Sequence, residues 1–304
     1  LGAATASVTR VPPESVRSLA WDPGTARLYA GVSEGARAGE VVVIDPAAGA
    51  VVAGVQAGDD PWELARSDDG RFLYVGLRGG GSYRRITLAS LAVGPEWLLA
   101  SPGQPLYPVA MAVVPGQPDA VAIARRGAGV AIYDAGVVRA EFTDARTEAT
   151  SIAFLESPGT LYGFNGASSG FDFLTIGVTG AGARTTSATR NLLSGFYTEI
   201  TGAAGRIYAN DGSVVDAERR VRVGSVQVPD FFGVPAITPD PETGRLFVLT
   251  DTELRVYDLT SLRLLGRVPV PGQQYGSTLG WARRPVRFGT DGLAFYDAAG
   301  VVLV

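Results

Sequence analysis

At 304 residues and 46% hydrophobic content the chain can bury a full core, as one large domain or two smaller ones. A net charge of −4 with acids and bases interleaved gives no concentrated basic face for nucleic acid. There is no cysteine or histidine and every one of the 26 basic residues is arginine, which excludes disulfides, thiolate nucleophiles, zinc sites, histidine triads and lysine Schiff bases.

No apolar run approaches the roughly 18 residues a membrane helix needs, so no membrane insertion is expected. Leu1 opens the chain without a methionine, a charged n-region or an apolar h-region. LGAATAS therefore reads as a mature end or as the cut edge of a longer protein.

From residue 18 onward a single unit repeats. SLAWDPGTARLYAGVSEGARAGEVVVIDPAAGAVVAGVQAG (18–58) reads as short strand, polar turn, apolar strand, loop, strand, tight turn, strand. ELARSDDGRFLYVGLRGGGSYRRITLASLAVGPEWLLAS (63–101) repeats that order. The second-strand core recurs at Leu28-Tyr29, Leu73-Tyr74, Ala120-Val121, Leu161-Tyr162, Ile207-Tyr208, Leu246-Phe247 and Leu293-Ala294. Those positions lie roughly 39 to 47 residues apart, near the period of propeller blades. Each copy follows a Gly, Pro, Asp or Asn turn: DPGTAR, SDDGR, PGQPD, ESPGT, GAAGR, DPETGR and GTDG.

Units of four strands cannot bury both faces alone, and radial stacking hides those faces between neighbours. The sequence thus predicts an all-β fold, a seven-bladed β-propeller of four-stranded blades in one domain over 1–304. Blades are expected at approximately 14–57, 58–101, 105–144, 148–189, 194–228, 233–271 and 276–304 plus 4–11. The last copy supplies PVRFG, LAFYD and VVLV but no fourth strand. TASVTRV (5–11) has no partner of its own, and is expected to pair with Val301–Val304 and close the ring.

LYVG and EVVVIDPAAGAVVAGVQAGDDPWELARSDDGRFLYV resemble the YVTN-type repeat of bacterial and archaeal propellers, over about residues 18–78 and 234–270. The resemblance implies a secreted or cell-surface protein that binds a ligand or partner. Flanking domains or self-assembly are compatible with it. It carries over no catalytic residue, because the repeat positions are structural.

In such a fold, the loops from strand two to three and from strand four to the next blade share one face. Candidate ligand contacts there are Trp62, Arg78, Tyr83, Arg84, Tyr107, Arg125, Tyr197, Phe231 and Tyr275, with Arg126, Phe196 and Phe232 close in sequence. Arginine beside aromatic rings suits a glycan or a protein surface, through stacking and bidentate contacts. Tyr83, between glycines and Arg84-Arg85, is the leading single candidate.

Asp59-Asp60, Asp68-Asp69, Asp240/Glu242 and Asp251/Glu253 read as turn caps before they read as a two-carboxylate glycosidase. Asp60, Asp211 and Asp251 are candidate calcium ligands but lack the DxDxDG spacing of a calcium loop, and RGGGS (78–82) has no following helix to cradle phosphate. No cofactor, metal or catalytic residue is assigned. The leading expectation is a non-enzymatic binding or scaffold propeller. The alternatives are a hydrolase or lyase using acids and tyrosines at the channel mouth, and a structural subunit of an extracellular filament or surface layer.

Overall fold

A computed structural model describes residues 7–13, 15–99, 106–228, 235–250, 252–270 and 284–304. Strand β1 (Thr9–Val11) is followed by a four-strand meander of β2 (Val16–Asp22), β3 (Arg27–Val32), β4 (Glu40–Asp45) and β5 (Ala50–Gln56). Next come β6 (Pro61–Arg66), β7 (Phe72–Leu77) and β8 (Ser82–Thr87). The outer edge of that sheet is split into β9 (Ala92–Val93) and β10 (Trp97–Leu98), both paired with β8.

The third meander is β11 (Pro108–Val114), β12 (Gln117–Arg125), β13 (Gly129–Asp134) and β14 (Val137–Phe142). The fourth is β15 (Ser151–Phe154), β16 (Thr160–Phe164), β17 (Phe173–Thr179) and β18 (Gly182–Thr189). Then follow β19 (Ile200–Ala203), β20 (Arg206–Ala209), β21 (Ser213–Asp216) and β22 (Val221–Ser225). After them come β23 (Ala236–Asp240), β24 (Arg245–Leu249), β25 (Glu253–Asp258) and β26 (Leu264–Pro269). The chain finishes with β27 (Val286–Phe288), β28 (Gly292–Asp297) and β29 (Gly300–Leu303).

The burial pattern explains why these segments are strands. RLYAGV and EVVVID in the second and third positions are apolar almost throughout, because both of their faces lie against a neighbouring sheet. AVVAGVQ in the outer position of the same sheet alternates exposed and half-buried, as an outermost strand should. The innermost strands β2, β6, β11, β15, β19, β23 and β27 form a closed circle, each touching the next and β27 touching β2. Each hydrophobic cluster lies between two consecutive meanders, such as Tyr29, Val41 and Val43 against Leu73, Val75 and Ile86.

The chain ends close the circle as expected. Thr9, Arg10 and Val11 pair antiparallel with Leu303, Val302 and Val301, and Arg10 meets the buried carboxylate of Asp297 at 2.6 Å. Val11 is fully buried against β2–β4 on one side and β28–β29 on the other.

The sequence predicts a separate sheet for each repeat, whereas the described residues form six, one of them eight-stranded. The third and fourth meanders merge through a single parallel pairing, Glu141 with Gly182. Gly182 permits it: its φ of +137° suits glycine, and a side chain there would run into the Glu141 backbone. Arg139 holds the junction with two bonds to Asp134 at 2.8 Å and one to the Thr179 carbonyl at 2.8 Å.

The turns between first and second strands share the face opposite the long loops, and they are stapled across sheets. Asp22 accepts from Thr25 Oγ1 at 2.6 Å and from Arg66 Nε of the next sheet at 2.9 Å. Asp240 repeats the arrangement with Thr243 Oγ1 at 2.7 Å and Arg287 Nε at 2.8 Å. Burial alone would raise both carboxyls, but the Thr and Arg bonds outweigh it and hold them below the usual range.

Candidate functional site

On the long-loop face, the starts of the innermost strands ring the mouth of a central channel. Three of them, from sheets that are not neighbours, meet there. Glu63 is the third residue of β6, Glu199 immediately precedes β19, and Arg284 lies two residues before β27. Arg284 donates from Nη1 to Glu63 Oε2 at 2.8 Å and from Nε to Glu199 Oε2 at 2.6 Å. The other oxygen of each carboxylate makes no hydrogen bond among the described residues.

Glu63 is 8% exposed at its side chain, while Arg284 keeps 37% of its side chain open. Burial pushes the Glu63 carboxyl up; Arg284 opposes that, Glu199 adds to it, and the outcome is about 7. Arg284 is held firmly charged: burial works against its charge, and the two carboxylates more than offset that. Tyr296 of β28 stands beside the group, its phenol pushed up by burial and by Glu199 while it donates to the Arg17 carbonyl at 2.6 Å.

On one side of the mouth, cations and rings interleave across three sheets. The Arg78 guanidinium carbon lies 4.3 Å from the Trp62 ring centre and 5.3 Å from that of Tyr107, and Arg17 stands 5.5 Å from Trp62. Asp60 lies below them, its carboxyl raised by burial against the pull of Arg78 and Arg17. The predicted residues Trp62, Arg78 and Tyr107 are therefore brought together. Trp62 itself corrects the expectation of a stacking platform, because it is only 9% exposed and its ring already serves two guanidinium groups.

On the other side, the loop before β19 presents Phe196 and Tyr197 to solvent, 56% and 59% exposed. Polar bonds hold that loop in place. Thr198 Oγ1 donates to the Ser194 carbonyl at 2.8 Å, and Asn210 Oδ1 accepts from the Glu199 amide at 3.0 Å while its Nδ2 donates to the Tyr197 carbonyl at 3.4 Å. Phe196 packs edge-on against Phe171, which stacks on the buried Phe164. Tyr197 takes a left-handed φ of 63°, a strained conformation the surrounding bonds enforce.

Three predicted residues sit elsewhere. Tyr83 is fully buried between Tyr74, Trp97 and Tyr133, and its hydroxyl has no hydrogen-bond partner. Its place as third-strand start turned it into the gap between sheets rather than out to solvent. Arg84 is committed to Glu96 at 2.7 Å on the outer edge. Arg125 is a buried staple of its own turn, donating to the carbonyls of Ala128 and Gly129 and lying 4.9 Å from the Phe142 ring centre. Phe231 and Tyr275, like Phe232, lie outside the described residues. Of the acids read as turn caps, Asp69 accepts from the Arg71 amide and Asp240 from the Thr243 amide, whereas Asp68 accepts from the Gly116 amide of the next sheet; Asp211, weighed as a calcium ligand, accepts from the Ser213 amide.

Sequence reasoning missed Glu63, Glu199 and Arg284. A signal existed, since Trp62-Glu63 and Tyr197-Thr198-Glu199 each put a glutamate just after an aromatic at the start of an innermost strand. Among the described residues no group of three or more acids is placed to hold a metal ion, and no helix is long and apolar enough to cross a membrane.

A closed circle of up-and-down sheets around a channel defines a β-propeller. Solved structures agree. The chain is similar to Kuenenia stuttgartiensis hydrazine synthase, with a TM-score of 0.70, 13% identity, and coverage of 96% of this chain and 95% of that one. It is likewise similar to the β-propeller domain of Myceliophteria thermophila Cps50 (Swd1), with a TM-score of 0.69, 14% identity, and coverage of 98% and 99%. At such identity the likeness shows the fold alone. No family model matches the chain, and no curated protein does.

Proposed function

We propose that the chain is a seven-bladed propeller serving as a non-enzymatic binding module of a secreted or cell-surface protein, with a protein or glycan partner seated on the long-loop face. The blade count takes the eight-stranded sheet as two blades, which the circle of innermost strands supports. The cellular location rests on the YVTN-type resemblance. The observation that carries the binding role is the rim itself: a rigidly held, exposed Phe196–Tyr197 pair faces a channel mouth built from Glu63, Arg284 and Glu199. Exposed aromatics on a pre-ordered loop bind at low entropic cost.

The test is a screen of the labelled protein against glycan and protein arrays, repeated with a Phe196→Ala/Tyr197→Ala variant and with Arg71→Ala on the opposite face. Capture should fall in the loop-face variant and persist in Arg71→Ala. Capture that survives the first and is lost in the second would place the site on the other face.

A second reading, a hydrolase or lyase, is favoured by the Glu63 carboxyl near 7, a value suited to a general acid or base. Against it, one guanidinium already occupies both carboxylates. Turnover of any panel glycan that disappears in Glu63→Gln would establish it in place of the binding role.

A further inference from the structure

The channel mouth has a charge and a hydrogen-bonding capacity left over. Two carboxylates share one guanidinium, so with both ionised the trio carries one net negative charge. Each carboxylate spends one oxygen on Arg284 and leaves the other without a hydrogen bond among the described residues. The Glu63 side chain is only 8% exposed, but its second oxygen is not sealed inside the protein and opens to the mouth, where a ligand can reach it. Among the described residues the further titratable group coupled to it is Tyr296, whose phenol is turned to the Arg17 carbonyl, and the nearby Arg17 is engaged with Ser33, Glu34 and the Trp62 ring. Among the described residues neither donates to the second oxygen of Glu63.

We propose that the mouth is a receptor for one organic cation, the guanidinium of an arginine side chain on a partner polypeptide, which enters between Glu63 and Glu199. This rests on the binding role proposed above and selects a protein as the partner. Two observations favour a guanidinium in particular. The pair of glutamates already seats one, that of Arg284, with bonds of 2.8 and 2.6 Å to acids from two different sheets. And the exposed rings of Phe196 and Tyr197, three and two residues from Glu199, offer contact for the stem and neighbours of such a side chain.

Without a partner the site satisfies itself with a proton on Glu63, so cation and proton compete for one place. Binding should therefore tighten as pH rises through about 7 and should release up to one proton.

The test is isothermal titration of the full chain with acetyl-Gly-Arg-Gly-amide, with the citrulline peptide of the same shape, and with a glucosamine oligomer. The arginine peptide is expected to bind roughly tenfold or more tightly than its uncharged counterpart. Its affinity should be higher at pH 8 than at pH 6, with proton release detected by comparing buffers of different ionisation enthalpy. Glu63→Gln should lose the charge preference and the pH dependence together. Arg284→Ala should bind more tightly, because the internal competitor is gone, and where that variant fails to fold the Glu63→Gln and pH arms decide.

Equal binding of the citrulline peptide, tighter binding at pH 6, or unchanged binding in Glu63→Gln would each overturn the proposal. Binding of the glucosamine oligomer in place of the peptide would overturn the choice of a protein partner. A ligand lost in Phe196→Ala/Tyr197→Ala but indifferent to Glu63→Gln would leave the loop-face reading standing and remove only this inference.

Discussion

At the scale of single residues, the molecule separates side chains that hold the fold from those that stay exposed on the loops. Tyr83 belongs to the first group. Its ring fills the space between the second and third meanders, while its hydroxyl lacks a partner. Tyr83→Phe should therefore be neutral or stabilising by up to about 1 kcal/mol, whereas Tyr83→Ala should cost about 3–5 kcal/mol, as urea unfolding would show. The sequence reads Tyr83 as part of the loop between second and third strands, whereas it is the second residue of β8. Its inward turn depends on the neighbouring sheet, which local pattern does not carry. Glu63 makes a second case. Its folded carboxyl is raised from 4.5 to about 7, so the folded state holds a proton that the unfolded chain releases. That contribution is complete below about pH 4.5 and fades as pH rises through about 7, by about 3 kcal/mol at most. In Glu63→Gln the loss of stability over this range should vanish; a slope equal to that of the parent chain would show that another group titrates.

At the scale of elements, what could be read in advance was the strand order, because turn chemistry and apolar runs are local. Asp22 and Asp240 were legible as turn residues from DPGTAR and DPETGR, but their partners Arg66 and Arg287 lie on the following sheets, 44 and 47 residues further on. Both carboxyls are lowered in the fold, so the stability they provide is present above the unfolded value of 3.8 and is lost as pH falls through the lower folded values. An Asp22→Asn/Asp240→Asn variant should accordingly show a shallower loss of melting temperature below about pH 4. The junction of the third and fourth meanders was not legible, since it depends on the Arg139 fork and on a single glycine. Arg139→Met should cost about 1–3 kcal/mol and speed hydrogen exchange at the Glu141 amide, which now bonds to the Ala181 carbonyl. Unchanged exchange there would mean that Gly182 alone maintains the contact.

At the scale of the whole molecule, ring closure and the channel mouth depend on residues far apart in the chain. Closure was foreseeable, because a strand without a partner at each end leaves one economical pairing, and Thr9–Val11 does lie against β29. Removing residues 7–11 deletes the buried Val11 and uncovers the β29 edge, and should lower the melting temperature by well over the roughly 2–4 °C that about 1 kcal/mol shifts in a domain of 150–250 residues. The convergence of Glu63, Glu199 and Arg284 was not foreseeable by motif, because strand starts that are remote in sequence become neighbours only when the circle closes. The most direct measurement is hydrogen exchange of the full chain with and without the partner captured from the arrays. Protection is expected at the strand starts around residues 61–63, 197–200 and 284–286 on the long-loop face. Protection confined to the turns at 22–27, 67–71 and 240–245 on the opposite face would contradict the assignment of this face as the binding surface.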